Sequence, residues 1–359
     1  MHIKVFDCHS RGFTLVECLA GIAVLGAMGV VVGPIGSSVR AQSLDTESQM
    51  VHHRLARHQM MYIADHNGAF SGPNTSGLEW NRFSIVPGQG LIQRWRQLEG
   101  VQSSSTPTSL SDWISPIAGD AVGFSGLRAE RARQILDVFG DPTATSFVDS
   151  LYSADAALSD ISDFEEVFQK AGYRQGSFLM MRSFTHFSAE HPILDSMNDG
   201  GSLNYQAYVV QSPGVPALAP EGYSPSIWNV GTQPSNKVMF ADGTRYFEDK
   251  AGLSMDIDSE QGVVSGHTST GPVFGASIAY GRESLQAPSQ ANTDLSFRKN
   301  GGAGMYATMF DGSLRYFSRQ EAWTNPTPWY PGGSSWQGIG ATPESQAWVD
   351  QNLPDGIIP

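Results

Sequence analysis

Between Phe13 and Val32 the chain is apolar or small, free of proline, and carries one charged side chain, Glu17. About 20 such residues rise roughly 30 Å as a helix, the depth of a bilayer's hydrocarbon layer. A carboxylate held at that depth costs about 2.5–3.5 kcal/mol on insertion scales, so it needs a partner and is a functional candidate by position alone. Lys4 and Arg11 precede the run. Cationic flanks stay cytoplasmic, which predicts an N-terminus inside, a single pass through the membrane and the bulk of the chain outside.

Other residues of types that do chemistry are grouped less tellingly. His52, His53, His58 and His66 fall on one helical stretch. No three of them share a face as a compact ligand set, which predicts solvated helix surface rather than metal. His186, Glu190 and His191 lack the fixed helical intervals of a zinc peptidase and precede Pro192, as a polar loop would. Asp256, Asp258 and Glu260, beside Gly262, could offer oxygens to Ca²⁺ but lack the rest of an EF-hand loop. The chain has neither a Gly-Lys-Ser/Thr phosphate loop nor a nucleophile elbow. No catalytic residue and no cofactor are therefore expected.

Arg11, Gly12 and then Phe13-Thr14-Leu15-Val16-Glu17 resemble the processing site of type IV prepilins and type II secretion pseudopilins. The resemblance implies a membrane peptidase that cuts after Gly12 and N-methylates Phe13, leaving Glu17 as the fifth residue of the mature chain. It supplies a partner for Glu17, the α-amino group of an adjacent subunit, so that cleavage creates a cation where the buried carboxylate needs one. Gly26 and Pro34 fall where pilin helices often carry Gly and Pro, and Pro34 is the expected kink. Further implied partners are other pilin or pseudopilin subunits, the inner-membrane assembly platform and membrane lipids. Major pseudopilins carry a calcium site near the end of the head, which is the family's reason to consider Asp256, Asp258 and Glu260.

Three alternatives stay open for the same stretch. An ordinary secretory signal could be cut near Gly33, Ser37 or Ser38. A lipoprotein signal fits poorly, because Glu17 rather than a small residue precedes Cys18. An uncleaved anchor would make the chain a membrane-tethered extracytoplasmic binding protein or hydrolase.

The elements that must carry these residues follow from pattern. After Pro34, Leu44, Val51, Leu55, His58 and Tyr62 recur at spacings of three, four and seven, a stripe on a helix that should stop at Asn67-Gly68. Residues 1–12 are then the leader, 13–33 the span, 34–66 its amphipathic continuation and 67–359 the exported head. Phe13 to His66 would cover roughly 80 Å. Residues 69–123 are rich in Gly, Pro, Ser and Thr and predict long loops pinned by Trp80, Trp95 and Trp113. A helical insertion at about 125–172 contains amphipathic runs from Leu127 to Phe139 and from Asp160 to Ala171.

From about 176 to 319 the signal is strand. Within it, Met239 to Phe247 resembles Met309 to Phe317, and the Asp242-Gly243 and Asp311-Gly312 pairs predict two hairpin turns of one antiparallel sheet. The second copy, led by Phe297-Arg298-Lys299-Asn300-Gly301-Gly302-Ala303-Gly304, also resembles a prepilin-like C-terminal signature of His, nine residues, then Asp-Gly. Here Lys299 stands near the place of the His. The tail holds Trp323, Trp329, Tyr330, Trp336 and Trp348, read as aromatic side chains that dock a loop on the sheet.

Composition sets the outer limits. At 359 residues and 40% hydrophobic content the chain can bury a substantial core. A formal charge of -13 argues against generic nucleic-acid binding, which needs cations to neutralise phosphates. The two cysteines, Cys8 and Cys18, fall in the leader and the span, so the head has no disulfide, unlike the C-terminal loop common in true type IV pilins. The expected fold is α+β and pilin-like: a long N-terminal helix packed on an antiparallel sheet with helical and loop insertions. A head this large suits a minor or tip subunit.

Overall fold

The computed structural model describes residues 15–72, 75, 83–86, 90–93, 101–109, 112–144, 147–148, 150–152, 158–169, 173–174, 176–188, 209–210, 215–249, 252–257, 267–268, 272–273, 279–280 and 291–359, with backbone alone in 15–38 and in parts of several strands. The chain divides into two compact units, Met1–Thr46 and Glu47–Pro359. Helix α1, Leu15–Asp65, supplies the first unit's described backbone. Among the described residues no helix is long and apolar enough to cross a membrane. The apolar side chains of residues 13–33, where the sequence places a span, lie outside them.

The second unit is α+β, as the pattern predicts. Its nine-stranded sheet is built from β1 Ser150–Tyr152, β2 Gly176–Met181, β3 Val238–Asp249, β4 Gly252–Asp256, β5 His267–Thr268, β6 Ala279–Tyr280, β7 Ala291–Ser296, β8 Gly304–Met309 and β9 Leu314–Ser318. The central strand β3 pairs antiparallel with β2, β4, β7 and β8. At its margins the sheet is mixed: β1, β5 and β6 join in parallel. Val238 through Asp242 are all fully buried, so this first part of β3 lacks the alternation of a half-exposed strand and is covered on both faces.

The last turns of α1 pack on this sheet. Ser48, Val51, His52, Leu55, Ala56, Gln59, Tyr62 and Ile63 are buried, one helical face at spacings of three and four. The helix stops where expected, with Asn67 at φ +54 and Gly68 at φ +88, and the Gly68 N–H bonds the Ile63 carbonyl at 2.9 Å. The stripe itself differs from the expected one. Polar Ser48, His52 and Gln59 lie on the buried face, whereas His58 is half-buried and His53 and His66 are exposed.

Helix α2, Ile114–Val122, falls where the sequence suggested only loops. The Asp112 carboxylate accepts the N–H groups of Ile114 and Ser115 at 2.9 and 3.0 Å, and Gly123 closes the helix in the left-handed conformation. Pro116 sits in the first turn, where no backbone donor is required. Helix α3, Arg128–Phe139, matches its expected run to within a residue, while α4, Ile161–Val167, ends four residues sooner than expected.

The aromatic tail docks as anticipated. Trp329 and Tyr330 are buried, the Trp329 ring lies 5.2 Å from Phe317, and Trp323 meets Phe297 edge-on at 5.6 Å. Short helices α5, Arg319–Thr324, and α6, Pro343–Asn352, fasten the rest.

Candidate functional site

Gly12 and Phe13, the expected cleavage and methylation site, lie outside the described residues, as do the side chains of Glu17 and Pro34. The head-facing part of α1 is described, and it is seated on the head through a cluster of buried charges.

Asp141, just beyond α3, anchors one side of the cluster. Its Oδ2 accepts Arg298 Nε at 2.8 Å and Lys299 Nζ at 3.0 Å, and its Oδ1 accepts the N–H and hydroxyl of Thr143, both at 2.8 Å. Burial alone would raise the Asp141 pKa. Arg298, Lys299 and the two Thr143 donors outweigh it and hold the carboxyl far below the usual carboxylate range.

Asp242 anchors the other side from the middle of β3. It accepts the Tyr306 N–H at 2.9 Å, His52 Nε2 at 3.0 Å and Arg298 at 3.3 Å, with Lys299 Nζ 3.7 Å away. Arg298 also donates to the carbonyls of Gly243 and Ser177, both at 2.9 Å. From α1, Ser48 Oγ meets Lys299 Nζ, Gln49 donates to the Tyr306 hydroxyl at 2.8 Å, and His52 stacks on Phe240 at 5.5 Å. Two carboxylates thus face the side chains of one arginine, one lysine and one histidine. Burying ions is tolerable only with this density of charge-assisted bonds, and losing one partner strands the rest.

This arrangement corrects two expectations. Asp242-Gly243 is no hairpin turn, because β3 runs through it unbroken to Asp249 and the chain reverses between Asp249 and Gly252. The Asp-Gly turn preference loses to a carboxylate whose acceptors are all used by neighbouring elements. His52 is no solvated helix residue either, because Asp242 and Thr308 occupy both its ring nitrogens.

Asp311-Gly312 does turn, between β8 and β9, but only Gly312 takes positive φ, at +83. The Met309 N–H bonds the Ser313 carbonyl at 2.8 Å and the Gly312 N–H bonds the Met309 carbonyl at 2.9 Å, closing a four-residue turn with glycine last. Asp311 caps it by accepting the N–H and hydroxyl of Ser313.

Thr308, His52 and Asp242 form a hydroxyl–imidazole–carboxylate series, with Thr308 Oγ1 2.9 Å from His52 Nδ1. That order of groups can activate a hydroxyl. All three residues are at most 1% exposed, so no substrate reaches the hydroxyl in this conformation and the series acts as a tie between α1, β3 and β8.

The remaining candidates do not converge. His186 is buried, with Thr185 Oγ1 at 3.0 Å and Arg182 Nε at 3.2 Å, while Glu190 and His191 lie outside the described residues. Asp256 is described only as strand backbone, and Asp258 and Glu260 lie outside the described residues. Among the described residues no group of three or more His, Cys, Asp or Glu is placed to hold a metal ion.

Sequence reasoning missed Asp141, Arg298, Thr308 and Ser48. The one available signal was Lys299, already noticed as the residue near the signature histidine's place, with Arg298 beside it as an adjacent cation pair in an acidic chain. No protein-family model, curated protein or solved structure matches this chain.

Proposed function

We propose that this chain is a prepilin or pseudopilin: a structural subunit inserted in the inner membrane, cut after Gly12, and assembled through its N-terminal helix into a type II secretion pseudopilus or type IV pilus-like filament. The observation that carries the reading is the Gly12 to Glu17 motif at the head of a 51-residue helix, α1. A filament subunit must transmit load from its assembled helix to its head, and the seat made by Ser48, Gln49 and His52 on β3 and β8 suits that task. Met50 and Met61, on the opposite side of α1 from the seat, are 59% and 52% exposed and available to neighbouring subunits. As a minor or tip subunit, the protein would place its large head where lateral crowding is least.

Glu17→Val tests the assembly role. The variant should insert in the membrane at the normal level and be lost from sheared filaments by about tenfold or more, since the proposed amine–carboxylate pair has gone. Normal recovery of the variant in filaments would contradict the pairing.

A further inference from the structure

The chain contains two Asn-Gly pairs, Asn67-Gly68 and Asn300-Gly301. Both take left-handed backbone, with φ at +54 and +88 in the first and at +51 and +67 in the second. Both asparagines are exposed. An asparagine followed by glycine is open to attack on its side chain by the next main-chain nitrogen. Glycine has no Cβ to shield that nitrogen or to restrict the rotation that brings it in.

The two pairs differ in what holds the attacking peptide. The Gly68 N–H bonds the Ile63 carbonyl at 2.9 Å, and the Gly68 carbonyl accepts the Ile227 N–H at 2.8 Å. The Trp228 indole covers Gly68 so closely that a Cβ there would stand 2.2 Å from Nε1. The Gly301 N–H and carbonyl have no hydrogen-bond partner among the described residues, and a Cβ placed there would meet nothing within 4 Å. Attack requires the nitrogen to give up its proton and swing toward the side chain. At Gly68 a hydrogen bond must first break and an indole must lift; at Gly301 neither is needed.

We propose that Asn300 is a site of spontaneous deamidation, and that the isoaspartate formed there loosens the seat of α1. The Gly301 nitrogen bonds to Asn300 Cγ, the Cγ–Nδ2 bond breaks, and ammonia leaves with the proton from Gly301. Water then opens the cyclic imide at either carbonyl and gives aspartate or isoaspartate, with no change of oxidation state. Isoaspartate routes the main chain through the side chain and adds a methylene between Lys299 and Gly301. The loop it lengthens is closed across position 300. The Lys299 N–H bonds the Gly304 carbonyl at 2.9 Å, and the Lys299 carbonyl accepts the N–H groups of Gly302 and Ala303 at 3.1 and 3.0 Å. Lys299 Nζ is held in the seat by Asp141 and by Ser48 of α1, so a backbone shift at position 300 reaches the helix through one side chain. The site is independent of filament assembly, since the reacting atoms lie in the head.

Peptide mass spectrometry of the full-length protein in detergent, aged in mildly alkaline buffer with and without urea, tests the site. In urea both asparagines should convert at similar rates. In the native protein Asn300 should convert within about threefold of its rate in urea, and Asn67 about tenfold or more slower than its own. Equal native protection of the two asparagines would overturn the assignment. The consequence is read from urea midpoints. Aged native protein should unfold at a lower midpoint than fresh protein, whereas Asn300→Gln, whose longer side chain closes the ring slowly, should age without that loss. Equal losses in both proteins, or no loss in the native protein once Asn300 has converted, would overturn the link to the seat.

Discussion

Replacing Asp242 by alanine and, separately, Asp311 by alanine distinguishes two residues that the sequence presents as equivalents. Asp242 is fully buried and accepts from the Tyr306 N–H, His52 and Arg298. Its removal leaves three donors facing each other in a dry space. Each buried donor left unsatisfied costs about 1–3 kcal/mol, and breaking a buried ion pair from one side costs about 3–5 kcal/mol. These effects overlap rather than add, so about 3–5 kcal/mol is expected for Asp242→Ala. Asp311 is exposed and accepts only from Ser313, two residues on. Water replaces it there, and about 0.5–1.5 kcal/mol is expected. At about 2 °C per kcal/mol for a head of this size, Asp242→Ala should lower the melting temperature by about 6–10 °C and Asp311→Ala by at most about 3 °C. Urea unfolding followed by tryptophan fluorescence gives the same comparison at equilibrium, with equal m-values expected if only the native state is weakened. Equal midpoints for the two variants would refute the reasoning that β3 carries a buried charge key.

Two further outcomes follow from other parts of the head. Gly119 lies in α2, where alanine would ordinarily gain about 1 kcal/mol of helix propensity, yet a Cβ there would stand 2.0 Å from the Ser104 carbonyl oxygen; Gly119→Ala should therefore lower the urea midpoint instead of raising it. Lys237, with a pKa of about 7 when folded and an ordinary lysine value when unfolded, makes the unfolded state bind more protons between those limits, so this group adds stability as pH rises through that window. Buried Tyr62, Tyr223 and Tyr330, whose phenols burial pushes up, act in the opposite sense above about pH 10. Subtracting urea midpoints of Lys237→Met from those of the native protein at pH 6, 8 and 10 isolates the lysine: the native protein should gain on the variant as pH rises, and a constant difference would contradict its neutral folded form.

The parts of the fold that were legible in the sequence are those set by local chemistry. Asn67-Gly68 stops α1 because both positions require left-handed backbone, and Gly140 ends α3 one residue after Phe139. The Asp311-Gly312 turn was readable because its carboxylate serves its own loop. Asp242-Gly243 was misread for the complementary reason: its partners, His52, Arg298 and Tyr306, come from three other parts of the chain, and local preference carries no trace of them. The same holds for His52, whose polarity argued for the solvent side of a helix that the fold instead turns toward Asp242. Helix α2 escaped notice because Pro116 and Gly119 read as breakers, although the proline occupies the first turn and the glycine lets the Ser104 backbone approach closely. The burial of Lys237 against the carbonyls of Thr327 and Tyr330 depends on a tail that docks on β9, a long-range event with no periodic signature.

The central claim is that this chain is processed and assembled as a filament subunit. Mass spectrometry of the mature protein's N-terminal peptide, isolated from the membranes of its own cell, tests it most directly. Cleavage after Gly12 predicts a peptide that begins with N-methylated Phe13. A peptide that begins at Met1, or one that begins beyond Gly33, would contradict it and leave the helix as an anchor or a discarded signal.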